Sequence, residues 1–282
     1  MKHNDDIEEI LYDNCPVDDF LGFTPTELNY LVYDTFGDKS PLQFRNDLDD
    51  NTLDQIPLFR IAEEYLKILQ RDIQIKLTPL GALPKKVLVE LYDKKILLDE
   101  HIERGIVKLW REQDCISIRS ARLTAELAGL VRKAHGKLNL TKKGAKLLQK
   151  ENRINLFKLF FQAFTGKFDW PFNDLHPQKP IGQFGWAFSV YMLYRFGDQP
   201  NPIDYYADIY LDAFPAFISL FEPSYSTPVR QFSHCYGIRT FDRFFLWFGF
   251  VTVKRRNHYL DLEPELFTGT GLVKRIFSFD EY

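Results

Sequence analysis

The stretch from Ala128 to Gly144 constrains the fold of this chain more than any other. Gly129 stops a helix, and Leu130, Leu138 and Leu140 supply apolar strand positions on either side of a tight turn at Gly136. Thr141-Lys142-Lys143-Gly144 then leads into another helix. A strand, a glycine turn and a second strand read as a β-hairpin. Arg132, Lys133, Lys137, Lys142 and Lys143 make its tip and base cationic.

The residues upstream give this hairpin a context. Ile61, Tyr65, Leu66 and Leu69 recur at helical spacing between Leu58 and Arg71. Ile73 to Thr78 alternates as a strand, and Pro79-Leu80-Gly81 turns the chain. A helix is expected from Leu83 to Lys95, with Pro84 in its first turn, and another from Asp114 to Leu127. Helix, strand, helix, helix, strand, strand is the order of a winged helix, with residues 128–144 as the wing. One departure stands out. A helix-turn-helix joins its second and third helices by about 3–4 residues, and the segment 96–111 intervenes here, with room for a further short helix.

The rest of the chain is read more coarsely. Thr24-Pro25-Thr26-Glu27 forms a capping box opening a helix that runs to about Phe36. From Arg153 the composition turns aromatic, and helices are expected over Asn155–Phe164, Phe184–Phe196 and Ile203–Phe221, their rings forming a core. Thr240 to Trp247 reads as a helix, with Phe248-Gly249-Phe250 mirroring Ala128-Gly129-Leu130. Val251-Thr252-Val253, a basic turn Lys254-Arg255-Arg256-Asn257 and a return strand His258–Leu262 would complete a second copy of the hairpin. The expected fold class is mainly α, multi-helical, with two winged-helix-like modules that each carry a small antiparallel β-hairpin. The expected divisions are an acidic helical segment 1–56, a first module 57–150, an aromatic connector 151–202 and a second module 203–282.

Charge is unevenly spread. Residues 1–60 hold fourteen acids against four bases, while residues 130–158 hold nine bases and only Glu151 as an acid. Such polarity binds an anionic partner or docks one part of a protein on another. Three scattered cysteines, Cys15, Cys115 and Cys235, fit a reducing compartment. The polar N-terminus and the lack of an apolar run near ~18 residues point to a cytoplasmic protein without a membrane partner.

Catalytic signatures are absent from the sequence. There is no Gly-x-Ser-x-Gly elbow, Walker loop or His-x-x-x-His pair, so no enzyme, cofactor or metal site is expected. Asp169, Asp174 and His176 are the nearest approach to a metal set, and turn chemistry explains them better.

The runs Leu77-Thr78-Pro79-Leu80-Gly81-Ala82-Leu83-Pro84, Ala128-Gly129-Leu130-Val131 and Leu140-Thr141-Lys142-Lys143-Gly144 resemble an uncharacterised family of bacterial proteins. Leu21-Gly22-Phe23-Thr24-Pro25 is similar to the N-terminal part of the same group, so the resemblance covers about residues 20–150. It implies no activity or ligand. The wing is also similar to those of bacterial winged-helix regulators, a fold analogy that implies duplex DNA as a partner.

The leading expectation is therefore a DNA-binding, regulatory winged-helix protein. Arg119 and Arg122 would sit on the recognition helix, and Arg132, Lys133, Lys137, Lys142, Lys143 and Lys146 on or beside the wing. Lys254, Arg255 and Arg256 would contribute from the second module, with Arg239 and Arg243 nearby. The alternative is a winged-helix module that docks a protein partner without nucleic acid, which the acidic pI of about 6.1 favours.

Overall fold

The computed structural model describes residues 14–174, 176, 180–223, 226–255 and 263–279. The chain is mainly α-helical, with small antiparallel sheets. The strands among the described residues are β1 (Leu42–Phe44), β2 (Gln74–Lys76), β3 (Val131–Ala134), β4 (Lys137–Leu140), β5 (Val251–Lys254), β6 (Leu266–Gly269) and β7 (Phe277–Phe279). They pair as β1-β7, β2-β4-β3 and β5-β6. Two compact units result, and both are discontinuous in sequence. One comprises Leu48–Asp174 with Trp247–Gly249; the other comprises Met1–Asp47, Leu175–Leu246 and Phe250–Tyr282.

In the unit built on Leu48–Asp174, the helix Pro57–Asp72 starts at a proline and buries a continuous stripe from Leu58 to Leu69. It leads into β2, then the helices Lys85–Tyr92, Glu100–Glu103 and Ile116–Leu127, and then the β3–β4 hairpin. The short helix Glu100–Glu103, capped by Asp99, occupies the intervening segment 96–111. Gly129 has φ +73° and ends the 116–127 helix in a Schellman arrangement, with Leu130 N–H donating to Ala125 O at 3.0 Å. His135 and Gly136 both take positive φ, so the two-residue turn between β3 and β4 is of the type that matches strand twist.

Thr141 locks the hairpin exit. Its hydroxyl accepts from Gly144 N–H at 2.9 Å and reaches back to Gly129 O at 2.9 Å. A Cβ on Gly144 would stand 2.3 Å from Leu130 O and 2.9 Å from the Leu140 side chain. Gly144→Ala is expected to destabilise this unit by about 1–3 kcal/mol, as overpacking does. A denaturant titration checks it, and an unchanged midpoint would contradict the close approach.

The helix Arg153–Gly166 completes the same unit with an aromatic face. Phe157, Phe160, Phe161 and Phe164 are buried, and Phe248 inserts among them at ring-centroid distances of 4.9 Å to Phe164 and 5.2 Å to Phe161. The main chain is tied there too, since Leu58 N–H donates to Trp247 O at 2.8 Å. Arg153 bridges Glu63 (2.7 Å), Asp54 (2.7 Å) and Asp50 (3.2 Å). Part of the acidic–basic asymmetry is thus spent inside the fold.

The other unit opens with the expected capping box, Thr24 and Glu27 exchanging hydrogen bonds at the start of the helix Pro25–Tyr33. Its core is built from Phe and Tyr, with Tyr210, Phe232, Tyr236, Phe241 and Phe267 fully buried. The expected helix Ile203–Phe221 stops at Ala213, because Pro215 cannot continue it, and a 3-10 segment Pro215–Leu220 follows. The helix Pro228–Tyr236 passes into a π-helical stretch Gly237–Phe245, which buries Phe241, Phe244 and Phe245 together.

The second hairpin differs from expectation. The return strand is β6, Leu266–Gly269, because Phe267 is fully buried against Phe241 at 4.9 Å. The expected return strand, residues 258–262, lies outside the described residues, as do Arg256 and Asn257. The likeness to the first hairpin nevertheless reaches the hydrogen bonds. Phe250 N–H donates to Phe245 O at 2.8 Å and Thr270 N–H to Phe250 O at 2.9 Å, matching Leu130 to Ala125 and Thr141 to Leu130. Asn201 bridges Phe267 on the free side of β6, as β2 pairs with β4.

Candidate nucleic-acid interface

The register of β2-β4-β3 sorts the cations of the first hairpin onto two faces. Residues opposite one another in antiparallel strands share a face. Ile75, Leu138 and Lys133 form one row, directed to the side that buries Ile75 and Leu138. Gln74, Asn139 and Arg132 form a row on the opposite face, and Lys76, Lys137 and Ala134 form the next. Lys142 joins that polar face from the helix Lys142–Leu147. Arg132, His135, Lys137, Asn139 and Lys142 line an open groove of about 560 Å³ there. Among the described residues, none of Lys76, Arg132, Lys137 and Lys142 has a carboxylate within salt-bridge range. Lys143 and Lys146 are exposed on the same short helix.

Lys76 was not singled out in the sequence. The alternation Gln74-Ile75-Lys76 is its signal, because burying Ile75 sends both neighbours to the opposite face.

The 116–127 helix does not form the reading surface expected of it. Ser117, Ile118, Ser120, Ala121, Arg122, Thr124 and Ala125 are all buried. Arg122 is withdrawn from any contact with DNA. Its guanidinium pairs with Glu112 and Glu126, with a further bond to Glu112 Oε2 at 3.0 Å. Burial opposes its charge, but the hydrogen bonds and charges of the two carboxylates hold its pKa above the usual guanidinium value. Arg119 lies over the ring of Phe172 at 4.3 Å and lines a separate cleft. Lys133 also belongs to that side, its Nζ 3.3 Å from where a Cβ on Gly81 would sit.

The second hairpin contributes less than expected. Arg255 is committed to Glu265 at 2.6 Å and Asp242 at 3.1 Å. Burial pushes the Asp242 carboxyl above its ordinary range, against the pull of Arg255. Arg239 is 1 % exposed and donates to the carbonyls of Ile181 and His176. Arg243 is half-buried, and Lys254 is exposed at the end of β5.

Among the described residues, no group of three or more His, Cys, Asp or Glu is placed to hold a metal ion, and no helix is long and apolar enough to cross a membrane. Residues 54–153 match the Y4jL N-terminal domain, an uncharacterised family. The match falls within the unit that carries the groove and leaves out the Leu21–Pro25 run. No curated protein and no solved structure matches the chain.

Proposed function

We propose that the chain is a nucleic-acid-binding protein whose winged-helix-like module within residues 48–174 grips the phosphate backbone through the outer face of its three-stranded sheet. The observation that carries this reading is the set Arg132, Lys137 and Lys142 lining one groove, with Lys76 opposite Lys137 on the same sheet face, none with a carboxylate partner among the described residues. By contrast, Arg71, Arg122 and Arg153 of the same unit are each neutralised by nearby acids. A phosphodiester backbone supplies the missing anions at regular spacing, and each neutralised phosphate releases counterions. With the 116–127 helix packed away, contacts to phosphate set register and affinity while bases go unread. The expected partner is therefore duplex DNA bound with little sequence preference.

Anisotropy titrations of a labelled duplex across a salt series test this. Four phosphate contacts give a slope of log affinity on log salt of about −3 to −4. Arg132→Glu with Lys137→Glu is expected to reduce the slope by about 2 and the affinity by more than about tenfold. Binding that is flat with salt, or indifferent to this pair, would remove the proposal.

A protein-docking role without nucleic acid is the second reading. It draws on the exposed apolar side chains Leu98, Ile106, Val107 and Leu127 of the same unit. A partner that co-purifies after nuclease treatment, together with no duplex binding, would favour it.

A further inference from the structure

The cleft on the other side of the hairpin has a different chemistry. It holds about 470 Å³, within the range of small-ligand pockets, and lies between the turn at Thr78–Ala82 and the loop at Trp110–Gln113. Both walls are fixed by hydrogen bonds. Thr78 N–H donates to Ala82 O at 2.9 Å and Gly81 N–H to Thr78 O at 2.8 Å. On the other wall, the N–H groups of Trp110 and Arg111 both donate to Asp114 Oδ2, at 3.0 and 2.7 Å. Glu112 joins the walls by accepting from Leu83 N–H at 3.0 Å.

What these walls present is aromatic and cationic. Trp110 is 60 % exposed, with the Lys85 ammonium 4.5 Å from its ring centre. Arg119 enters the cleft held against Phe172, with no carboxylate partner among the described residues. Arg111 lines the cleft with its guanidinium largely exposed and loosely paired to Asp114 at 3.8 Å, and Lys133 reaches its rim over Gly81. The carboxylate lining it, Glu112, is 1 % exposed and already spent on Arg122 and Leu83. A preformed pocket with an indole wall and cations that keep donors exposed suits a planar aromatic group carrying phosphate.

We infer that this cleft binds an unpaired base of single-stranded nucleic acid, stacked on Trp110, with its flanking phosphates held by Arg119, Arg111 and Lys133. The inference rests on the proposed function and narrows its substrate to a duplex with a single-stranded extension. Arg132 and Lys133 are neighbours on β3, the edge strand of the sheet, and point to opposite faces. A backbone lying on the outer face can therefore be followed round that edge by consecutive cations into the cleft.

The test compares a blunt duplex with the same duplex bearing an overhang of about ten nucleotides, within the length that such grooves cover. Binding is read by anisotropy and by tryptophan fluorescence together. Of the other three tryptophans, Trp170 and Trp186 are buried and Trp247 is half-buried, so the part of the quench that is lost in Trp110→Ala is the part that reports on Trp110. The overhang is expected to bind about tenfold more tightly than the blunt duplex and to quench the emission. Trp110→Ala should abolish both the preference and the quench while leaving blunt-duplex affinity intact. Trp110→Phe should keep most of the preference, since phenylalanine also stacks. Equal binding of the two duplexes, or a preference that survives Trp110→Ala, would overturn the inference. Steep, salt-sensitive binding of both duplexes with no quench by the overhang would overturn it and leave the sheet-face proposal standing. Quenching by the single strand without duplex binding would do the reverse.

Discussion

Glu112→Ala is expected to lower the stability of the Leu48–Asp174 unit by about 3–5 kcal/mol, the cost of leaving one partner of a buried ion pair uncompensated. Glu112 Oε1 pairs with Arg122 Nε, while Oε2 accepts from Arg122 Nη2 and from Leu83 N–H, both at 3.0 Å. Removing the side chain strands a buried guanidinium and a buried backbone donor together. Glu126 remains as a partner for Arg122 Nη1, yet it cannot reach the bonds that Glu112 made across the chain. Glu112→Gln should fall between wild type and alanine, since it keeps an acceptor but loses the charge. The double variant Glu112→Ala with Arg122→Met should recover part of the loss, because apolar replacement of a buried pair is often tolerated. Denaturant midpoints at constant slope measure all three. A loss below about 1 kcal/mol for Glu112→Ala would mean that the pair is solvated in solution.

Phe248→Ala should cost about as much, roughly 3–5 kcal/mol, and in a unit to which the residue does not belong by sequence. Its ring is fully buried and meets Phe160, Phe161 and Phe164 at 6.5, 5.2 and 4.9 Å. Truncation opens a cavity lined by three phenylalanines that cannot close over it without leaving their rotamers. Phe248→Leu should cost less, because it refills most of the volume. The companion measurement uses a fragment of residues 48–174, which lacks Trp247–Gly249. It should melt well below the same unit in the full chain, and equal melting would show that Phe248 adds nothing.

Local chemistry made much of the fold legible from sequence. The Thr24–Glu27 capping box, the strand at Gln74–Lys76 and the hairpin around Gly136 all occur where residue types and spacing place them. Each depends on neighbours within a few residues. Distant partners were the ones that escaped. Pairing of β1 with β7 joins Leu42 to Phe279, and nothing in either short apolar run names the other. The strand Val251–Lys254 pairs with Leu266–Gly269, although in sequence Tyr259, Leu260 and Leu262 alternate as well as Leu266 and Phe267 do. Phe267 packs against Phe241, 26 residues earlier, and neither run names that partner. The site followed the same rule. Arg122 carries the same charge as Arg132 in sequence, and the difference lies in Glu112 and Glu126 closing around one of them. Trp110 fell in a stretch without periodicity, so its place in a fixed cleft depended on Asp114 and on a turn some thirty residues earlier.

The insertion of Trp247–Gly249 sets a timetable for synthesis. Chains emerge N-terminus first, at about 5–20 residues per second. Phe248 follows Asp174 by 74 residues in the sequence, a delay of about 4–15 s on the ribosome. Through that interval the helix Arg153–Gly166 is complete while the phenylalanine that seals its rings is still to come. The nascent unit therefore waits with an open aromatic pocket, the kind of surface that chaperones engage and aggregation exploits. A ribosome-bound chain stalled before residue 247 should be markedly more protease-sensitive within residues 153–166 than one stalled well after residue 250.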